Sequence, residues 1–313
     1  MGSLIGHVAP GFGFLLIGLW HLFNHVKLHA LHPKSYVSSP WFKTQIVKYL
    51  ELYLIMGACT VSIAMELFIC PERHQPFDSD GTIPSNHLHN FEHSSISLSF
   101  FTYATFAIVL DKIKPEVKEG HGLSQLLAAL AFGQQFLLFH LHSADHMGVE
   151  GQYHLLLQIV VIVSFLTTVV GICFPKSFTV SFVRSLSIFF QGVWFIVMGF
   201  MLWTPELIPN GCFQNYEEGH NIVRCETEHA LHRAKSLVNI EFSWILTLVA
   251  IFGFLFYLIM IKVNVEKVEY WSLGKAEYRE ENSDDIESQN KSHGESRSFI
   301  HMGKGSPSID MER

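Results

Sequence analysis

Seven long apolar runs are the feature of this sequence that most restricts its fold. They extend over roughly Leu4–Val26, Ile46–Ile69, Leu88–Leu110, Leu123–Ala144, Tyr153–Cys173, Val180–Trp203 and Val238–Lys262. A helix of about 20 apolar residues spans the hydrocarbon core of a bilayer, which is about 30 Å thick. The runs therefore predict an all-α fold, a bundle of seven transmembrane helices in residues 1–263.

The distribution of charge agrees with this architecture and excludes other classes of protein. The chain has 49 charged residues, and 18 of them follow Val263, so that only 31 belong to the first 263 residues. A soluble globular enzyme would have about 25% charged residues throughout. The net charge of −7, without a basic patch, argues against binding to nucleic acid. The polar stretch 264–313 has little to bury, and we expect a disordered acidic tail there.

Basic residues between the runs predict the orientation of the bundle. They accumulate after the first, third and fifth runs, at Lys27, Lys34, Lys43, Lys48, Lys112, Lys114, Lys118 and Lys176. The loop after the second run has only Arg73, and the loop after the fourth has none. Lys and Arg accumulate on the cytosolic side of membrane proteins. We therefore expect the N-terminus to face the lumen or the cell exterior, and the tail to be cytosolic.

Two cysteines lie in the long outward loop between the sixth and seventh runs. Cys212 and Cys225 could form a disulfide in an oxidising lumen. Cys70 is expected on the same side of the membrane and is the competing partner.

Nineteen histidines are unusual for a membrane protein, and many lie at the outward ends of the predicted spans. Imidazole with carboxylate is a ligand set of zinc and of non-haem iron. The candidate metal ligands are His7, His93, His140, His142 and His154, with Glu92, Ser97, Asp145, His146 and Glu241 as candidate supporting residues. Single histidines are also tolerated at a membrane interface without any ligand, and this alternative stays open.

A second group of histidines follows the first span on the predicted cytosolic side. His21, His25, His29 and His32 recur at helical spacing, and Glu51 of the second span could join the first two. Zinc binding is one hypothesis for this group, and a charged helix end facing lipid headgroups is the other, which we favour.

Haem binding is a weaker alternative. Two stacked haems usually require histidines about 14 residues apart on each of two helices, and a haem needs an axial ligand from each side. His7 and His21 have this spacing. The residue 14 positions after His93 is Ala107, however, and the residue 14 positions before His140 is Leu126. No second helix completes the pattern.

Several short motifs resemble the transmembrane protein 45 family, a group of unknown function from animals and plants. They are Gly6-His7-Val8-Ala9-Pro10-Gly11, Glu92-His93-Ser94-Ser95, Phe139-His140-Leu141-His142, Tyr153-His154-Leu155-Leu156-Leu157, and Gln191-Gly192-Val193-Trp194 with Gly199. Through its long loop between Cys212 and Cys225, the chain resembles the plant members of the family more than the animal members. The resemblance implies a seven-span protein of the Golgi, secretory pathway or plasma membrane without an established reaction. The shared motifs include the five candidate metal ligands. The seventh span differs from the family, in which a histidine follows the tryptophan, because here Ile245 follows Trp244.

Three classes of function fit these sequence features. A zinc-dependent hydrolase of membrane lipids would be similar in layout to the alkaline ceramidase and adiponectin receptor group, where zinc activates water. Metal or proton handling without covalent chemistry is the second class, and a non-catalytic membrane adaptor is the third. Membrane lipids are the expected partners, whereas the sequence does not predict protein partners.

Overall fold

The computed structural model describes residues 4–69, 74–113, 118–141, 148–217 and 220–292. Within these residues, seven helices are long and apolar enough to cross a membrane, so the predicted all-α seven-span class is confirmed. The helices are α1 (Leu4–Leu31), α2 (Leu50–Ala64), α3 (Leu88–Ile113), α4 (Lys118–His140), α5 (Val149–Cys173), α6 (Phe178–Trp203) and α7 (Glu228–Ser292). A π-helical turn, Met65–Ile69, continues α2, and 3₁₀ turns occur at Ser85–His87 and Pro205–Leu207. Which side of the membrane each terminus faces stays a prediction.

The helices mostly begin or end outside the apolar runs. α1 continues past Val26 to Leu31, and α5 begins at Val149 instead of Tyr153. Hydrophobicity marks only the part of a helix that lies in hydrocarbon, whereas polar residues can form further turns on either side. α4 begins before its run, at Lys118, and ends before the end of the run, at His140. α7 begins earlier than predicted and continues to Ser292. The chain divides into two compact units after Asn264, at a position within this helix.

A β-hairpin marks one end of the bundle, which we call the hairpin end. Strands β1 (Cys212–Glu217) and β2 (His220–Cys225) pair antiparallel, with Cys212 opposite Cys225. The two cysteines form a disulfide, and they are the pair that the sequence indicated. The opposite end contains the long connection between α1 and α2, residues 32–49, which we call the strap.

Helices α5 and α6 form the centre of the bundle, and α2 and α7 lie at its edge. The main core contains Leu157 and Val161 of α5 with Trp194 and Met198 of α6. By contrast, α7 exposes a succession of large apolar side chains, among them Trp244. An exposed apolar surface of this extent suits a helix surrounded by lipid instead of water.

Close contact between α1 and α6 depends on two glycines. A Cβ atom built at Gly18 would lie 2.2 Å from the backbone nitrogen of Phe189, and one at Gly192 would lie 2.2 Å from that of Leu15. Only glycine lets the two backbones approach so closely. The contact fixes the histidines of α1 against α6 at both ends of the bundle.

Candidate metal centre

Three buried side chains meet at the hairpin end of the bundle. His7 lies in the second turn of α1, and Glu150 and His154 lie in the first turns of α5. One ligand atom from each residue lies within 4.8 Å of the others. All three residues are buried: His7 is 5% exposed, Glu150 is 9% exposed and His154 is 7% exposed. We refer to these three residues as the triad.

The helical period places the two members on α5 together. Residues four apart project from the same face of a helix, so Glu150 and His154 both point toward α1. The rings of His7 and His154 lie 6.0 Å apart between centroids, with an angle of 57° between their planes. Two helices thus supply all three candidate ligands.

Aromatic packing positions the ring of His7. It stacks on the indole of Trp203, the last residue of α6, with 4.4 Å between ring centroids. Gly199, one turn earlier in α6, leaves space for α1, because a Cβ there would lie 3.1 Å from the Cβ of His7. Phe195 and Phe139 contact the triad histidines from the interior of the bundle. The triad therefore has an apolar wall on its inner side.

A hydrogen bond selects the nitrogen that His154 presents to the triad. Its Nδ1 lies 3.0 Å from the backbone oxygen of Glu150. A carbonyl oxygen only accepts, so Nδ1 carries the proton and the neutral ring presents Nε2 as its lone-pair atom. Histidines that bind metals commonly donate their other N–H to a carbonyl or a carboxylate in this way.

The residues of the triad fit a divalent metal ion. Tetrahedral zinc with bonds of about 2.0–2.1 Å places its ligand atoms about 3.3 Å apart. The triad atoms lie within 4.8 Å of one another, so they need to approach by up to about 1.5 Å. A cation would also stabilise the negative charge of the buried Glu150 carboxylate. Zinc binding by two histidines and one glutamate leaves a fourth position for water or substrate.

His93 belongs to a different group of polar residues at the same end. Its Nδ1 lies 3.6 Å from Oε1 of Glu66, and the amide of Asn90 donates a hydrogen bond to Oε2 of Glu66 at 2.7 Å. Glu66 is buried in the π-helical turn that follows α2. The structure thus places His93 beside a carboxylate from this turn, outside the described triad.

The other predicted site residues are distributed over several helices. His140 is the last residue of α4, and its side chain is exposed. Ser97 shares a hydrogen bond with Ser62 of α2, and Glu92 is half-buried in the first turns of α3. Glu241 accepts a hydrogen bond from the hydroxyl of Tyr153 at 2.8 Å. The candidates His142, Asp145 and His146 lie outside the described residues.

The histidines of the strap end have other partners than those we expected. His21 and His25 are buried, so the prediction that they face lipid headgroups is wrong, whereas His32 is exposed. Nε2 of His21 lies 2.7 Å from Glu51. Both ring nitrogens of His25 are engaged, Nδ1 by Tyr36 and Nε2 by Arg184, which leaves neither for zinc.

Glu150 is the member of the triad that reasoning from the sequence missed. The predicted fifth span begins at Tyr153, which leaves Glu150 in the preceding loop. The signal that could have identified it is its spacing of four from His154. This spacing has meaning only in a helix that begins before Glu150, as α5 does.

Comparison with protein families gives one match for this part of the chain. Residues 121–258 match the model of a family of unknown function, DUF716. The matched segment extends from α4 into α7 and includes Glu150 and His154 of the triad, but it begins after His7. The chain is therefore similar to this family over four of its seven helices.

Proposed function

We propose that this multi-pass membrane protein binds zinc through His7, Glu150 and His154 and uses the ion to hydrolyse a lipid ester or amide. The observation that carries the proposal is the convergence of two buried histidines and a buried glutamate within 4.8 Å. Ionisable residues at membrane depth are costly and usually mark a functional site. Two histidines and one glutamate are also the protein ligands of known zinc hydrolases.

The roles of the three residues follow from their geometry. Nε2 of His154, the imidazole of His7 and the carboxylate of Glu150 would hold the ion at the hairpin end. An ion held there would supply Lewis-acid chemistry: it would lower the pKa of a bound water to about 7 and would polarise a carbonyl group. The aromatic wall of Phe139, Phe195 and Trp203 would limit the access of bulk water.

A lipid is the favoured substrate because the helix turns that contain the triad residues also expose apolar side chains on the outer surface of the bundle. Ile5 near His7 is 72% exposed, and Leu155 beside His154 is 51% exposed. Large apolar side chains exposed at this level of a transmembrane bundle contact acyl chains. A lipid could therefore approach the triad sideways, with its ester or amide group near the headgroup region.

The location of the site also belongs to the proposal. The disulfide of the hairpin requires an oxidising compartment, and the triad lies at the same end because His7 stacks on Trp203. We therefore place the triad on the lumenal or extracellular side of a secretory-pathway membrane, the Golgi or the plasma membrane. The resemblance to the transmembrane protein 45 family supports this assignment.

Elemental analysis of the purified protein is the experiment that tests metal binding. We expect about one zinc ion per chain in the wild type and a zinc content well below that in His154→Ala, which removes one of the three ligands. Glu150→Gln keeps the shape of the side chain and should also weaken binding. The control is His140→Ala, because His140 is exposed at the end of α4, outside the triad. Equal metal content in His140→Ala and His154→Ala would exclude the triad.

Hydrolysis requires a separate measurement on the metal-loaded protein. Release of fatty acid from a fluorescent ceramide or lysophospholipid in vesicles should occur with the wild type and with His140→Ala. It should be lost in His154→Ala. Zinc binding without turnover of either lipid would favour the metal-handling alternative, and absence of any bound metal would favour the adaptor.

A further inference from the structure

A network of buried polar and charged groups holds the strap against the other end of the bundle. Arg184 of α6 is 4% exposed, and its Nη2 donates hydrogen bonds to Oγ of Ser38 at 3.0 Å and to Nε2 of His25 at 3.3 Å. The hydroxyl of Tyr36 lies 2.9 Å from Nδ1 of His25. Two strap residues, Tyr36 and Ser38, are thus joined to helices α1 and α6.

Further bonds attach the same strap to α2, α3 and the turn after α5. The backbone N–H of Phe42 donates to Glu51 at 2.8 Å, and Tyr103 donates to the backbone oxygen of Pro40 at 2.7 Å. The backbone N–H of Ser38 donates to the oxygen of Pro175 at 2.7 Å. The strap is therefore closed over the bundle by specific polar contacts along its length.

The bonds of His25 define its protonation state. A guanidinium group has only donors, so the Nε2 of His25 that faces Arg184 must be an unprotonated acceptor. The single proton of the neutral ring is then on Nδ1, which donates to the oxygen of Tyr36. Burial raises the pKa of the Tyr36 phenol, so this group stays protonated at any physiological pH.

A second proton on His25 is incompatible with this arrangement. It would turn Nε2 into a donor that points at the donor nitrogen of Arg184, and it would place two positive charges 3.3 Å apart in the interior. Glu51 bonds to His21 instead of His25, so it does not neutralise the added charge directly. Among the described residues, the charged and titratable groups around His25 are Arg184 on α6, Tyr36 on the strap, His21 and His29 on α1 and Glu51 on α2. Tyr103 on α3 bonds to the strap nearby, at Pro40.

We infer that His25 is a proton-operated latch that holds the strap closed over Arg184 while it is neutral and releases the strap when it is protonated. The closed state depends on an unprotonated nitrogen, so it is complete at high pH and is lost as the pH falls. Release would expose the Arg184 guanidinium to the aqueous phase at that end of the bundle. The latch is independent of the triad at the hairpin end.

Hydrogen exchange measured by mass spectrometry on the full-length protein in detergent tests the latch. The observed peptides are those that contain the strap, residues 32–49, and the rates are corrected for the intrinsic effect of pH. Between about pH 7.5 and about pH 5, where a histidine released into water titrates, protonation of the opened state favours release, and we expect strap protection to fall by about tenfold or more. Peptides from the centres of α5 and α6 should keep their protection.

Two substitutions make the test specific for His25. Glutamine in His25→Gln can accept from Arg184 and donate to Tyr36 but does not titrate in this range, so strap protection should become independent of pH. His32→Gln removes an exposed histidine at the beginning of the strap and should respond to pH as the wild type does. An equal loss of protection in His25→Gln, or no loss in the wild type, would overturn the inference.

A measurement without substitution covers the case in which His25→Gln does not fold. Nitrogen chemical shifts of labelled histidine should identify His25 as the neutral form with the proton on Nδ1 at about pH 7.5. Conversion to the doubly protonated form should coincide with the loss of strap protection. Conversion at a pH at which the strap is still fully protected would refute the latch.

Discussion

Buried polar residues in this bundle are held by several partners each, and Glu51 is the clearest example. Its carboxylate accepts from Trp20 and His21 of α1 and from the backbone of Phe42 in the strap. Hydrogen bonds to an ionised group are stronger than those between neutral groups, and loss of one partner leaves others unsatisfied. The carboxylate therefore connects three segments that are separate in the sequence.

Replacement of Glu51 should measure this connection. Glu51→Gln keeps the size of the side chain but converts one accepting oxygen into an amide that donates. We expect the free energy of unfolding in detergent to fall by about 2 kcal/mol, because at least one buried donor loses its acceptor. Glu206→Gln is the matched control, because Glu206 is exposed near the hairpin end. Thermal unfolding of both variants checks this, and equal melting temperatures would contradict the connecting role of Glu51.

The contact of helix α1 with helix α6 positions both sites. It brings His7 to Trp203 at one end and His25 to Arg184 at the other. The glycines at Gly18 and Gly192 let the backbones of the two helices touch. Association of transmembrane helices depends on such packing, since lipid provides little hydrophobic drive between them.

Alanine substitutions in α1 should separate this packing from the intrinsic helix preference of glycine. In Gly18→Ala the new Cβ would overlap the backbone of Phe189, which cannot move aside, and we expect a loss of about 3 kcal/mol. In Gly13→Ala the new methyl group meets nothing within 4 Å. This variant should be neutral or gain up to about 1 kcal/mol, because alanine favours a helix over glycine. Similar unfolding temperatures for the two variants would mean that the close contact is not essential.

The two ends of the bundle differ in chemistry. The hairpin end has the disulfide and the triad, and the strap end has the basic connections with Lys34, Lys43 and Lys176. Basic loops remain in the cytosol, whereas disulfides form in the secretory pathway. Both features favour a hairpin end that faces the lumen or the cell exterior.

Glycosylation of introduced acceptor sites tests this orientation in cells. Glu217→Thr places a threonine two residues after Asn215, which makes that asparagine of the hairpin an acceptor. A glycan there should produce a mass shift that endoglycosidase removes. Pro33→Asn places an asparagine two residues before Ser35 in the strap, and this control variant should stay unmodified. The reverse result, a glycan on the strap variant alone, would invert the proposed topology.

The amino-acid sequence was sufficient to predict the all-α class and the seven spans, because a bilayer demands about 20 apolar residues per helix wherever the helix lies in the bundle. It also indicated the Cys212–Cys225 pair, since few cysteines share the outward loops. Hydrophobicity does not report the polar turns at helix ends, and therefore Glu150 was outside the predicted span.

Which polar groups meet depends on how the helices pack in three dimensions. It joined His7 to Glu150 and His154, and it placed His93 with Glu66. It also buried His25 between Arg184 and Tyr36, which are distant from each other in the sequence. Helical spacing in the sequence determines the face on which a side chain lies, whereas its partner depends on which helices become neighbours and how closely their backbones pack.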